Sequence, residues 1–312
     1  MKKLIALIAV LTLCLSVGMT AMADASYPAN AVTFICPWDA GGTSDSTSRI
    51  MAELFAKQTG VNTAVENQGG AGGTIATTEF KNTKPDGTAI CLEAIGVFTL
   101  QPFTREVSYS IDDFIPVCSL TQEPILLLAG KESGLTSLQD IIDRGSVVYG
   151  SNGTGSLMEL SEKKLFADAG VDAIGIPYDG SATTLAALLG GHVDVCTCHP
   201  SEGMQYVESG DAVALGIFND ERDPRDFLKD IPTIKEQGYD VVMSVWKFFI
   251  MPATTPQEII DQATEILNQC KASEEFADYC EKNNLLILGL DTSEMIEKIK
   301  AEAEVNKVML GK

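Results

Sequence analysis

FIPVCSLTQEPILLLAG, residues 114–130, is an apolar run, a polar break and a second apolar run. It reads as a crossing between two domains, not as one ordinary strand. GYDVVMSVWKFFIMPA, residues 238–253, repeats the shape. A chain that crosses twice makes two lobes with a cleft between them, and the crossings place lobe one at 24–123 plus 246–312 and lobe two at 124–245. Around them, short apolar runs alternate with helix-period segments, the pattern of an α/β fold with mostly parallel sheets. Strands are predicted at 32–36, 63–66, 88–92, 115–120, 125–129, 147–150, 174–177, 193–197, 213–218, 241–251 and 285–289. The spacing of Ile50, Met51, Leu54 and Phe55 gives a helix over 45–59 one buried stripe. Thr255-Pro256 reads as a cap and first helical position, and DTSE at 291–294 as a capping box. No low-complexity segment, short-period repeat or long linker interrupts the chain.

The first residues carry Lys2 and Lys3, an apolar run from Leu4 to Val17 and the small-residue site Ala21-Met22-Ala23, the parts of a secretory signal peptide over residues 1–23. Leu13 before Cys14 argues against lipid anchoring, since a lipoprotein signal puts a small residue there. The expected mature chain, Asp24 to Lys312, is long enough for two domains of ~150 residues. It holds no long uncharged apolar run, so it is expected to be a soluble protein outside the cytoplasm, secreted or periplasmic. The net charge of −21 becomes more negative still once the two lysines leave. Nucleic acid is a poor partner for such a surface. An anionic small ligand is not excluded, because a deep pocket feels its own wall more than charges beyond the screening distance of about 8–10 Å. Seven cysteines follow Cys14, an odd number without the spacing of a disulfide scaffold. Cys270 and Cys280 lie in adjoining helices, where a pairing is open; most of the others fall in apolar strands, as small hydrophobes.

Three glycine-rich loops follow predicted strands and lead into helices: WDAGGTSD (38–45), NQGGAGG (67–73) and SNGTGS (151–156). A fourth turn, PYDGSA (177–182), opens another helix. Each presents backbone N–H groups without intrahelical partners at the positive end of a helix dipole, which suits a carboxylate or phosphate. One such loop serves tight geometry in any α/β protein; several, spread over two lobes, point to a ligand in the cleft. Catalytic templates are missing. The chain has no GxSxG elbow, no Walker lysine and no GxGxxG, and its two histidines are His192, in a turn, and His199. Cys196, Cys198 and His199 lack a second ligand cluster, so no metal site and no cofactor are assigned.

These stretches resemble a known family, the extracytoplasmic solute-binding proteins of tripartite tricarboxylate transporters. The likeness runs through Tyr27-Pro28, CPWDAGGTSD (36–45) with Arg49, VENQGGAGGT (65–74), KPDGT (84–88), YGSNGTGS (149–156), IPYDGSA (176–182), LGGHVDV (189–195), Pro200-Ser201, DIPT (230–233) and Trp246 ahead of MPATTP (251–256). It implies a two-lobed periplasmic-binding-protein fold of class II that closes on a small carboxylate or amino acid. Such a protein, a monomer, delivers its ligand to membrane permease subunits and catalyses nothing. Carried onto this sequence, the resemblance maps first-lobe contacts to Ala40, Gly41, Gly42, Thr43 and Asp45, with Gly70, Ala71 and Gly72 alongside. Second-lobe contacts map to Ser151, Asn152, Thr154, Ser156, Tyr178 and Asp179.

The sequence departs from the family pattern at Asp39, where a small or apolar residue is usual, at Glu93, where glycine or a small polar residue is usual, and at Thr43, where many members have glycine or another small residue. Asp39 and Glu93, if both face the cleft, favour a ligand with one carboxylate and a cationic or hydroxyl-rich end. Trp38 and Trp246 are candidates for the pocket wall. A receptor that signals to a membrane sensor and a secreted hydrolase remain the alternatives.

Overall fold

The computed structural model describes residues 27–312; the expected signal peptide lies outside them. In chain order the first part comprises β1 (Val32–Cys36), α1 (Thr43–Thr59), β2 (Thr63–Asn67), α2 (Thr74–Phe80), β3 (Ala89–Ala94), α3 (Gly96–Thr99), α4 (Gln101–Thr104) and β4 (Phe114–Pro124). The middle part comprises β5 (Leu126–Gly130), α5 (Leu138–Arg144), β6 (Ser146–Asn152), α6 (Leu157–Asp168), β7 (Asp172–Tyr178), α7 (Ser181–Leu189), β8 (Val195–Cys198), α8 (Pro200–Glu208) and β9 (Ala212–Ile217). The chain returns with β10 (Ser244–Pro252), α9 (Gln257–Lys271), α10 (Glu274–Lys282), β11 (Leu286–Ile287) and α11 (Thr292–Met309).

Two sheets result, ordered β11-β4-β10-β3-β1-β2 and β7-β6-β8-β5-β9. The first crossing is abrupt: β4 ends at Pro124 in one sheet, β5 begins at Leu126 in the other, and Ile125 alone separates them. The second crossing is gradual. After Ile217 the chain makes one bridge to Thr233 and enters the first sheet only at Ser244, so the strand predicted from 241 starts three residues late.

The sheets are mixed, against the expectation of mostly parallel ones. β1 pairs in parallel with β2 and β3, and β6 with β7 and β8. The crossing strands supply the antiparallel ladders: β10 on β3 and β4, and β5 on β8 and β9. A strand that arrives from the other lobe enters its sheet from the cleft end, opposite to strands fed by local crossover helices.

Local rules account for most boundaries. On α1, Met51, Leu54 and Phe55 are buried and Ile50 partly so, and Gly60, at φ 75°, ends the helix by donating its N–H to Ala56 O. α11 begins with the expected capping box: Asp291 accepts from Glu294 N, and Glu294 accepts from Asp291 N at 2.8 Å. α9 starts one residue later than predicted, because Pro256 keeps an extended backbone and acts as the cap itself. One apolar cluster is confined to the first lobe around Phe34, Phe55 and Phe249, and another to the second around Leu126, Leu188 and Cys198. A third runs from Phe98 and Phe248 to Leu127 and Tyr149, across the crossing. All seven cysteines from Cys36 onward are free and buried, and the open Cys270–Cys280 pairing is not made. Among the described residues no helix is long and apolar enough to cross a membrane.

Candidate functional site

The glycine-rich loops from both lobes face one another across the cleft. In the β1–α1 loop, Gly41 has φ 100° and its N–H donates to Asp45 Oδ2 at 3.0 Å. Asp45 also takes a bond from Asn67 Nδ2 at 3.0 Å and pairs with Arg49 at 2.8 Å. Burial pushes its carboxyl pKa up, but the bonds from Arg49, Gly41 and Asn67 outweigh that and hold it below the ordinary value. Asp45 therefore braces the loop from behind. In the β2–α2 loop, Gly70, Ala71, Gly72 and Gly73 all have positive φ. Gly72 is also tightly surrounded, for a Cβ there would lie 2.4 Å from Gln101 Nε2 and 3.5 Å from Thr154 O of the other lobe.

From the second lobe, Ser156 caps α6 by accepting from Glu159 N at 3.1 Å, and Asn152 Nδ2 donates to Ser181 Oγ at 2.8 Å. Among the contacts that tie the lobes are two at these loops. Arg105, just after α4, donates to Ala71 O in its own lobe and to Thr154 O in the other. Glu202, on α8, accepts from Thr43 N at 3.0 Å and from Thr43 Oγ1 at 2.7 Å.

Between these ties lies a cavity of about 130 Å³. The first lobe lines it with Trp38, Asp39, Ala40, Gly42, Thr43 and Gly72, and with Val97 and Gln101. The second lobe contributes Asn152, Ser156, Met158, the start of α7, His199 and Glu202. Val245 and Lys247 of β10 close it where the chain crosses. A second recess of about 190 Å³ adjoins it, lined by Gly70, Ala71, Gly72, Arg105, Thr154, Tyr178 and Asp179. Trp38 borders both spaces. Gly41 faces a third, outer pocket beside Gly42, Thr43 and Glu202.

Four sequence-predicted residues line none of these spaces. Asp45 is the brace just described. Ser151 is buried in β6, with a hydroxyl that has no partner among the described residues. Glu93 is fully buried in β3, on the same face as Cys91, and accepts from Thr77 Oγ1 at 2.7 Å under α2. The expectation that it faces the cleft is corrected by strand alternation: its neighbour Ala94 lines the cavity instead. Burial pushes Glu93 up to about 8, against the bonds from Thr77 and Cys91. Trp246 is corrected by the same alternation, since Val245 and Lys247 on either side of it face the cavity. Trp246 points into the core, 4.6 Å from the Phe248 ring, with Nε1 donating to Glu302 at 3.2 Å.

Sequence reasoning missed the charged residues that line or underlie the cavity. Lys247 and Glu123 pair at 2.6 Å with side chains 2% and 1% exposed, and His199 Nδ1 lies 3.5 Å from the other oxygen of Glu123. A charge inside the apolar run VWKFFIMP (245–252), and another in the break TQEP (121–124), were the available signals. Glu202 gave none, for its partner Thr43 is 159 residues away. Among the described residues no cluster of His, Cys, Asp and Glu is placed to hold a metal.

Chemically, the cavity offers an ammonium at Lys247, loop N–H groups at the starts of α1, α6 and α7, and hydroxyls at Ser156 and Ser181. On the accepting side stand Asp39 at the rim and the buried Gln101 Oε1 and Asn152 Oδ1, which have no partner among the described residues.

Residues 47–310 match the tripartite tricarboxylate transporter family receptor. The chain is 30% identical over 267 residues to a UPF0065 protein in the TAR-I ttuE-ttuC' intergenic region of Agrobacterium vitis, covering 83% of this chain and 77% of that one. It is 27% identical over 285 residues to protein BugT of Bordetella pertussis, covering 88% and 86%. Among solved structures, MatC from Rhodopseudomonas palustris with bound malate aligns with a TM-score of 0.84 at 25% identity, over 91% of this chain and 99% of that one. An R. palustris protein with adipate gives the same score and identity, over 91% and 98%. The periplasmic binding protein BugD gives 0.79 at 26% identity, over 91% and 98%. The fold is thus the two-lobed periplasmic-binding-protein fold that the crossings and the resemblance implied. With that match spanning most of its length, the chain belongs to the tripartite tricarboxylate transporter receptor family of solute-binding proteins.

Proposed function

We propose that the protein is an extracytoplasmic receptor that clasps a small carboxylate between its lobes and hands it to the permease subunits of a tripartite-type transporter. The observation that carries this reading is the convergence of strand-to-helix loops from both lobes, together with Lys247, on one cavity. A ligand carboxylate there meets backbone N–H groups at helix starts and an ammonium held in a dry site, where such bonds are strong. The malate and adipate bound by the two R. palustris relatives belong to the same chemical class. The lobes correspond to 24–123 plus 246–312 and to 124–245, so a ligand touching both stabilises closure by contacts absent from the open form. The receptor acts as a monomer and releases its ligand unchanged.

The far end of the ligand carries hydrogen-bond donors, either hydroxyl or ammonium. Asp39 at the rim and the free acceptors on Gln101 and Asn152 support this; Glu93 no longer does. Calorimetry over dicarboxylates, hydroxy acids and amino acids tests the reading. The expected result is saturable, enthalpic binding of a hydroxy or amino acid that the Lys247→Met variant loses. Binding of none of the three classes by the folded protein would overturn it.

A further inference from the structure

Glu202 caps two helices in two lobes. Through Oε2 it reaches back to His199 N at 3.4 Å, the ordinary capping box of its own helix α8. Through Oε1 it takes both the N–H and the hydroxyl of Thr43, the first residue of the 17-residue helix α1. The first lobe provides no side chain for that task, because the residue before Thr43 is Gly42 and α1 has no side-chain cap of its own. Burial opposes ionisation of Glu202, yet His199, Lys247 and the Thr43 bonds together hold its carboxyl below the ordinary value, so it is an anion at neutral pH.

We propose that Glu202 is a specificity-determining residue. Its tethered carboxylate occupies the amide and hydroxyl of Thr43 that a second ligand carboxylate would take, and the same contact draws the lobes together before ligand arrives. The specificity half rests on the carboxylate reading of the cavity given above; the closure half does not. A dicarboxylate whose second group approaches α1 meets a fixed negative charge and a filled donor pair, whereas a monocarboxylate held at Lys247 meets neither. Opening the lobes breaks the contact, because Thr43 and Glu202 belong to opposite sides of the cleft.

The test uses the full mature chain with Glu202→Ala, Glu202→Gln and Thr43→Val. Thr43→Val probes the contact from the first lobe and leaves the capping box of α8 intact. In X-ray scattering without ligand, Glu202→Ala and Thr43→Val are expected to show a larger radius of gyration than the wild type, with helical circular dichroism unchanged. In calorimetry with malate and lactate, which differ by one carboxylate, Glu202→Gln is expected to raise the ratio of malate to lactate affinity by about tenfold. An unchanged radius in both Glu202→Ala and Thr43→Val, or an unchanged affinity ratio in Glu202→Gln, overturns the proposal. If neither acid binds any variant, the carboxylate reading fails, and scattering alone decides the inter-lobe contact.

Discussion

Lys247 Nζ lies 2.6 Å from Glu123 Oε1 at the point where both crossings meet, each side chain almost wholly buried. Glu123 is next to last in β4 and Lys247 sits near the start of β10, so the pair joins the strand that leaves the first lobe to the one that returns. His199, at the end of β8, reaches the same carboxylate from the second lobe. Lys247 thus lines the cavity where the chain crosses between lobes, with Glu123 buried beneath it.

Removing one member of a buried pair leaves the other charge without a partner, a loss of about 3–5 kcal/mol. Lys247→Met is expected to lower the unfolding free energy by that amount in urea titration. Lys247→Met combined with Glu123→Gln should recover most of it while ligand affinity stays lost, which separates the structural use of Lys247 from its use in binding.

Gly72 combines a φ of 64° with a place in the cleft, where an added Cβ would lie 3.5 Å from Thr154 O of the other lobe. Gly72→Ala is expected to cost about 1–2 kcal/mol in stability from the left-handed backbone. The added methyl would lie 2.4 Å from Gln101 Nε2, so that cavity-lining side chain must shift. Calorimetry should show ligand affinity reduced by about tenfold, corresponding to roughly 1.4 kcal/mol. Native affinity in the folded variant would place the closing surface elsewhere.

Glu93 has its carboxyl raised by burial from an ordinary 4.5 to about 8. Between those values the folded protein keeps a proton that the unfolded chain has released, so the group lowers stability progressively as pH rises from 4.5 to 8 and no further above it. Glu93→Gln removes that dependence. The variant should gain on the wild type across this window, by on the order of 1–4 kcal/mol at its upper end, measured by denaturant unfolding at several pH values. A difference that is flat with pH would show that Glu93 ionises normally.

Trp38 borders both cleft spaces, while Trp246 is buried in the core. Ligand-dependent change in tryptophan fluorescence is therefore expected from Trp38 alone. Trp38→Phe should abolish the change; Trp246→Phe should preserve it but cost stability, having lost the bond to Glu302.

Much of this architecture was legible in the sequence because its rules are local. Apolar runs at strand length, glycines where positive φ is required, the Asp291 capping box and the two double runs at 114–130 and 238–253 each depend on neighbours within a few residues. The glycine-rich loops follow from those rules, the family resemblance picked out most of the individual residues, and Trp38, Asp39, Ala40, Gly42, Thr43, Gly72, Asn152 and Ser156 line one cavity. The direction in which a side chain points from a strand was not legible, because a shift of one residue exchanges the two faces. That is why Glu93 and Trp246 turned inward while Ala94, Val245 and Lys247 reached the cleft. Strand direction in the sheets was hidden for a related reason: pairing partners such as β10 and β3 are remote in sequence, and only the crossings make them antiparallel. The charged contacts were the least accessible of all. Thr43 with Glu202, and Glu123 with Lys247 and His199, acquire their meaning only when residues remote in sequence are brought together and water is excluded, so the tertiary structure alone decided which charges are paired and which line the cavity.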